Sequence, residues 1–430
     1  MSMHNYSKQE LAEREDQLRK QYEAYRALDL DLDLTRGKPS REQLDLSVGL
    51  DERLDGAYLL ENGTDVRNYG GLLGIPEARE FGARMLGLRP EEVLVGGNSS
   101  LTLMYQYIGL AHLHGLAGPG SSWCDEARAS QGKVKFLCPV PGYDRHFTIC
   151  EHFDIEMINT PLETEGPDMN AVEALVAADP LVKGIWCVPR YSNPTGQTYS
   201  DNVVQRLAGL ARVAGEGFRI IWDNAYAVHH LTDHPPPLLN LMDECRALGT
   251  ARVLVVTGST SKITYAGAGI SFLGSDPHNL ERFSRYLSAS TIGPDKLNQL
   301  RHTRFLTTSA DLSAHMQRHR EIIEPKFRRT FEILAEELAE KGILRWTEPA
   351  GGYFISCDTI PGLAALVVAL AADIGVKLTP AGATFPYGRD PEDRNIRLAP
   401  TCPPMDELEQ AVRVFACCVE LASVQRLRAD

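Results

Sequence analysis

The sequence predicts an α/β protein, in which a large domain with a mostly parallel central sheet flanked by helices is joined to a smaller α+β domain. Three observations carry this. Residues 184–188, 218–222 and 253–257 are short apolar runs of the kind that strands buried on both faces require. Residues 168–179 and 201–214 space their apolar positions at helical intervals, and a strand–helix–strand rhythm implies right-handed crossovers between parallel strands. The chain has 430 residues, which is long for one core, so a second domain is expected.

Composition removes several classes of function. With 43% hydrophobic and 23% charged residues the chain is ordinary globular material, and no segment has the apolar length needed to span a bilayer. Residues 1–20 are charged and lack an apolar core, so no secretory signal is read there, and a soluble cytoplasmic protein is expected. A net charge of -13 without a long basic run argues against nucleic acid and anionic membranes as partners. The nine cysteines are odd in number and unpaired in spacing, which points to reduced thiols rather than a disulfide framework or a zinc site. His229 and His230 are adjacent and do not share a helix face, so they read as structural and no metal site is expected.

Taken in order, residues 8–28 read as a charged surface helix carrying an N-terminal arm. Residues 30–34 then alternate with aspartates up to the break Arg36-Gly37-Lys38-Pro39. A Gly-rich loop, Asn68-Tyr69-Gly70-Gly71, precedes a helix starting near Pro76, where proline suits the first turn. Val93-Leu94-Val95 is a short strand that runs into Gly96-Gly97-Asn98-Ser99-Ser100 and a helix. Free backbone N–H groups and the positive end of a helix dipole suit a phosphate there. Residues 134–138 form a strand ending in Pro139-Val140-Pro141-Gly142-Tyr143. Residues 311–341 read as a long amphipathic helix, kinked or broken at Pro325, that connects to the second domain. Residues 351–356 read as an edge strand of a small sheet, 376–380 and 395–399 as two more short strands, and 406–427 as a closing helix.

Chemistry gathers at the strand ends. The run 253–257 leads to Ser259-Thr260-Ser261-Lys262, 218–222 to Asp223-Asn224-Ala225-Tyr226, and 184–188 to Asn193-Pro194-Thr195-Gly196. A lysine after a strand is most often a solvated residue. Here its company overturns that reading, because ligands of open α/β sheets bind outside the carboxyl ends of the strands, where these three ends would converge. An amine, a carboxylate, a phenol and an amide are the set needed to hold a pyridinium aldehyde. An arginine inside the apolar run 395–399, Arg397, suits a carboxylate, which a guanidinium fork can grip in two places.

Asn-Pro-Thr-Gly, Asp-x-x-Tyr and Ser-x-Ser-Lys, in this order and spacing, resemble the fold-type I pyridoxal-phosphate enzymes, and within them the class I aminotransferases. With Leu34-Thr35-Arg36-Gly37-Lys38-Pro39 the chain resembles the divergent (type Ic) aspartate aminotransferase group over nearly its whole length. The resemblance implies a pyridoxal 5'-phosphate cofactor bound by Lys262, with Asp223 at the ring nitrogen, Tyr226 and Asn193 at the ring oxygen, and Tyr143 stacked on the ring. It places Asn98, Ser99 and Ser259 at the phosphate, Arg397 on the substrate α-carboxylate, and Gly37 close to bound substrate. It also implies a homodimer with shared active sites, in which Tyr69 reaches the partner's cofactor phosphate. The implied domains are an arm at 1–50 belonging to the small domain, a large domain at 51–310 and a small domain at 311–430.

The pattern departs from the family at one place. Class I aminotransferases carry an arginine a turn or two beyond the lysine, and residues 263–274 contain none. Lys296 is the substitute cation proposed for the phosphate. The expected reaction moves the amino group of L-aspartate to 2-oxoglutarate, and Arg36, Arg145 and Lys296 are candidates for the distal carboxylate of these amino and 2-oxo acid substrates. An aminotransferase for alanine or aromatic amino acids is the same-fold alternative. A non-catalytic cofactor-binding regulator is the rival class, disfavoured because the short N-terminus leaves no room for a DNA-binding module.

Overall fold

Eight strands pair into a single sheet. Its order is Val93–Val95, Ser271–Ser275, Leu254–Ser259, Arg219–Asp223, Val182–Cys187, Lys135–Val140, Glu156–Glu163 and Gly166–Pro167. The structure is a computed structural model and describes residues 2–118 and 120–429. The five strands from Leu254–Ser259 across to Glu156–Glu163 are parallel, and the remaining pairings are antiparallel. A mixed sheet flanked by helices is therefore the observed form of the large α/β unit.

The apolar runs are continuous because both faces of the sheet are covered. Ile185, Cys187, Ile220, Trp222, Leu254 and Val256 point into one core. Their neighbours Trp186, Ile221 and Val255 point into the other. Successive side chains on a strand alternate faces, so a strand buried on both sides is apolar except where a polar residue finds a partner, as Lys183 does at the Glu216 carbonyl. Register then fixes where the ends meet. Cys187 pairs with Trp222, and Asp223 pairs with Thr257, so the segments following these strands leave the sheet side by side.

A third core lies elsewhere. It joins Leu11, Leu18 and Tyr22 of the N-terminal helix Lys8–Arg26 to Ile323, Phe327 and Leu334 and to the closing helix Met405–Ala429. Arg14 donates to both carboxylate oxygens of the buried Glu420 at 2.7 and 2.8 Å, which ties the first helix to the last. Leu32–Asp33 pairs in parallel with Val376–Lys377, bringing the arm alongside the C-terminal third of the chain.

Two expectations change. The helix Ser309–Leu338 runs through Pro325 unbroken for 30 residues. Its first half packs Leu312 and Met316 on the large sheet's core and its second half packs Ile323 and Phe327 on the third core, so burial at both ends outweighs the backbone hydrogen bond that proline removes. The small sheet is antiparallel, with Ile355–Thr359 central between Leu344–Trp346 and Asn395–Leu398, so the strand read as an edge is the middle one and starts only at Ile355. The nine cysteines are all free, and seven are buried. Among the described residues no helix is long and apolar enough to cross a membrane.

Candidate active site

The segments at the carboxyl ends of the parallel strands enclose a cavity of about 160 Å³ lined by Lys262, Asp223, Tyr226, Asn193 and Tyr143. Lys262 stands just beyond the strand Leu254–Ser259, and its Nζ lies 5.2 Å from the centre of the Tyr226 ring and 5.9 Å from that of Tyr353. Burial lowers the ammonium's pKa below its ordinary value, and the negative charge of Asp223 opposes part of that fall. The result is an amine more readily deprotonated than a surface lysine's.

Asp223 is the last residue of its strand and is buried. One carboxylate oxygen accepts from His146 Nε2 at 3.0 Å and the other from Thr257 Oγ1 at 3.3 Å. Because a carboxylate only accepts, His146 carries its proton on Nε2. The imidazole lies flat on Trp186, with centroids 4.3 Å apart and planes 8° apart, so its direction is set by packing. His146 was absent from the sequence reading. It sits one helical turn beyond Tyr143, on Asp144–His152, and that i,i+3 spacing is the signal that could have found it.

Burial pushes the phenols of Tyr226 and Tyr143 above their ordinary values, so both stay protonated at neutral pH. Asn193 is buried, and its Oδ1 accepts from Arg397 Nη1 at 3.2 Å. The same Nη1 reaches Asp144 Oδ1 at 3.2 Å, while Arg397 Nε is buried without a protein partner. A buried guanidinium with an unpartnered N–H keeps one donor free for a further acceptor. The guanidinium carbon stands 4.7 Å from the centre of the Phe354 ring.

Ser99, Ser100, Ser259 and Ser261 also line the cavity. Ser99 precedes the helix Ser100–Gly109, so the helix N-terminus faces the same space. Ser100 and Ser261 were not among the predicted site residues, although both lie inside the motifs that drew attention. Ser261 Oγ donates to the Asn98 carbonyl at 2.6 Å.

The family model described as aspartate amino-transferase matches residues 6–430. The chain belongs to the aspartate aminotransferase family. It is 43% identical over 429 residues to the aspartate aminotransferase of Corynebacterium glutamicum, covering 99% of this chain and 97% of that one. A crystal structure of an aspartate transaminase from the same organism superposes with a TM-score of 0.94 at 43% identity, covering 99% of both chains. The α-aminoadipate aminotransferase of Thermus thermophilus, solved with N-(5'-phosphopyridoxyl)-L-leucine, shares the fold at a TM-score of 0.74 and 21% identity, covering 92% of this chain and 93% of that one. This aminotransferase accordingly acts on amino and 2-oxo acids, and membership implies pyridoxal phosphate.

The remaining predicted site residues of the aminotransferase lie outside the cavity wall. Asn98 is exposed, and its side-chain amide donates to the Gly267 carbonyl at 3.3 Å. The place given to Lys296 is corrected. It is buried, and its ammonium donates to the carbonyls of Asn68 and Gly70 at 2.6 and 2.7 Å, on either side of Tyr69, which leaves it holding that loop instead of facing the cavity. Tyr69 itself is 84% exposed. Gly37 packs so closely on Phe354 that a Cβ there would lie 2.4 Å from the ring. Arg36 and Arg145 are exposed. Lys262 is the one cationic side chain among the described residues that line the cavity.

Proposed function

We propose that this aminotransferase transfers the amino group of L-aspartate to 2-oxoglutarate, giving oxaloacetate and L-glutamate, with pyridoxal 5'-phosphate held in the Lys262 cavity. The observation that carries the reading is the convergence of one perturbed amine, one buried carboxylate, two protonated phenols and one amide on a single cavity. These groups fit the cofactor's functional groups one for one. Lys262 would hold it covalently, Asp223 would face the ring nitrogen, Tyr226 and Asn193 the ring oxygen, and Tyr143 the ring face. Ser99 and Ser100 at the helix N-terminus, with Ser259 at the end of its strand, would take the phosphate. Bound there, the cofactor supplies the electron sink for the pair released at the substrate α-carbon.

The chain's own residues do the rest. Arg397 offers its free Nε edge to the substrate α-carboxylate, and the Asn193 contact fixes the plane of the guanidinium. Gly37 and Phe354 wall that side. The amine of Lys262 would serve as the general base and acid that moves the substrate α-proton, a role its lowered pKa suits. Asp223, held by His146 and Thr257, would supply the negative charge that favours a protonated ring nitrogen. Arg36 and Arg145 are the remaining candidates for the distal carboxylate.

The arm at 1–50 together with 311–430 would form the small domain against a large domain at 51–310, and a homodimer would complete each site with Tyr69 of the other copy. The test is the visible spectrum of the protein with added pyridoxal phosphate. L-aspartate should bleach the bound-cofactor band and 2-oxoglutarate restore it, while L-alanine and L-phenylalanine leave it nearly unchanged. Lys262→Ala should lose both the band and turnover; turnover that survives would sink the assignment.

A further inference from the structure

Behind the cavity, the two peptide carbonyls that follow the lysine's Cα are gripped by side chains from outside the eight-stranded sheet. The Ile263 carbonyl lies 2.7 Å from His315 Nε2 and 2.8 Å from His319 Nε2. The Lys262 carbonyl lies 3.4 Å from Tyr353 Oη and 3.4 Å from Nε2 of the buried His229. Gln43 joins these, with its Nε2 at 3.0 Å from His319 Nδ1 and 2.9 Å from Tyr353 Oη. All five side chains are buried.

The proton positions follow from the partners. Gln43 Oε1 accepts from the backbone N–H of Ser40 at 3.1 Å, which identifies the other end of the amide as NH2. His319 Nδ1 therefore accepts, and its proton sits on Nε2, aimed at the Ile263 carbonyl. Arg318 Nη2 lies 2.9 Å from His315 Nδ1, and a guanidinium only donates, so His315 also carries its proton on Nε2. Two neutral imidazoles thus converge on one carbonyl from the same side, their Nε2 atoms 3.1 Å apart and Ser47 Oγ 3.4 Å from that of His315, and Tyr353 directs its own proton to the carbonyl of Lys262. Protonating either Nδ1 would set an N–H against an N–H.

We propose that Gln43, His319 and His315 are positioning residues for Lys262, clamping the Lys262–Ile263 peptide so that the amine's place in the cavity follows the N-terminal arm and the helix Ser309–Leu338. Gln43 comes from the short helix Arg41–Asp45 of the arm and the histidines from one face of the long helix, four residues apart. Neither element belongs to the sheet that carries Lys262. Simple satisfaction of two buried carbonyls would need one donor each. Here one carbonyl takes two donors, locked from behind by an amide and a guanidinium. A lysine that must first hold the cofactor and then move a proton depends on sub-ångström placement, where small displacements cost large factors in rate.

The proposal rests on Lys262 being the cofactor-bearing amine. It is tested in the full chain with His319→Leu, which removes the donor, and His319→Gln, which keeps an N–H within reach of the carbonyl. Three readouts are compared with thermal midpoints. They are kcat and KM for aspartate, the pH midpoint of the bound cofactor's visible band, and the rate at which cofactor-free protein takes up pyridoxal phosphate. His319→Leu should lower kcat about ten-fold or more with KM changed less than about three-fold, shift the pH midpoint and slow uptake. His319→Gln should restore most of each. Should His319→Leu not fold, Gln43→Ala, which leaves both imidazoles but unlocks them, should move the same three quantities in the same directions. A folded His319→Leu or Gln43→Ala with unchanged kcat and pH midpoint overturns the clamp, as does a loss that tracks thermal stability alone and is equal in His319→Gln. An unchanged His319→Leu beside an inactive Lys262→Ala overturns the clamp only, whereas an active Lys262→Ala overturns the reading beneath it.

Discussion

Lys262 and Asp223 share a charge relation that can be measured without turnover. Burial lowers the amine's pKa and Asp223 raises it, so Asp223→Asn should lower it further. The rate at which cofactor-free protein is modified by an amine reagent, followed against pH, should shift to lower pH in the variant; a shift upward would mean that Asp223 does not face the lysine. Gly37 gives a second test. A methyl group at residue 37 would meet Phe354 at 2.4 Å, and Phe354 is the ring beneath the Arg397 guanidinium. Gly37→Ala should cost about 1–3 kcal/mol of stability by overpacking and raise KM for aspartate roughly ten-fold with a smaller change in kcat. An unaltered KM would separate Gly37 from the carboxylate site.

The helices Lys296–Phe305 and Ser309–Leu338 bury imidazoles that are neutral in the fold. Burial brings His302 down to about 4 and His319 to about 4, against an ordinary value of 6.5. Such a group binds more protons unfolded than folded between those two values. Its stability is therefore fully present above about pH 6.5 and is lost as the pH falls towards 4. From pH 7 to pH 5 the two histidines together should remove a few kcal/mol, about 2 kcal/mol each. Thermal midpoints in that range should drop, and the drop should shrink in His302→Asn; a flat profile would show that the histidines are hydrated or charged in the folded protein. Arg318 adds its positive charge beside the pair and works in the same direction on His319.

At the scale of the molecule, the exposed Tyr69 and the Lys296 ammonium that anchors its loop do not line the chain's own cavity. If Tyr69 completes the site of a second copy, subunits carrying Lys262→Ala and subunits carrying Tyr69→Ala should complement when refolded together. Each mixed dimer then holds one site with both native residues, and random pairing should return roughly a quarter of the native activity. Complementation no greater than the sum of the two parents would place Tyr69 in its own subunit's chemistry or outside it. If Tyr69 does complete a second copy's site, a wall supplied by one chain is only part of the finished site, and further cations would come from the second copy.

The parts of this protein legible in its sequence were those governed by local pattern. Strands buried on both faces must be continuously apolar, and parallel strands must deliver their carboxyl ends to one edge, so Asn193, Asp223, Tyr226 and Lys262 could be placed together from the motifs that close three apolar runs. Only the tertiary structure could decide which long-range partner each remaining side chain meets. Gln43 finds His319 across 276 residues and Lys296 finds Asn68 across 228, and no periodicity encodes such a meeting. From sequence Lys296 reads as a cofactor cation, because a free ammonium and one capped by two carbonyls look alike in a string of letters. Charge, donor and acceptor are properties of a residue type, but what they are used for is set by the groups that burial brings within hydrogen-bonding distance.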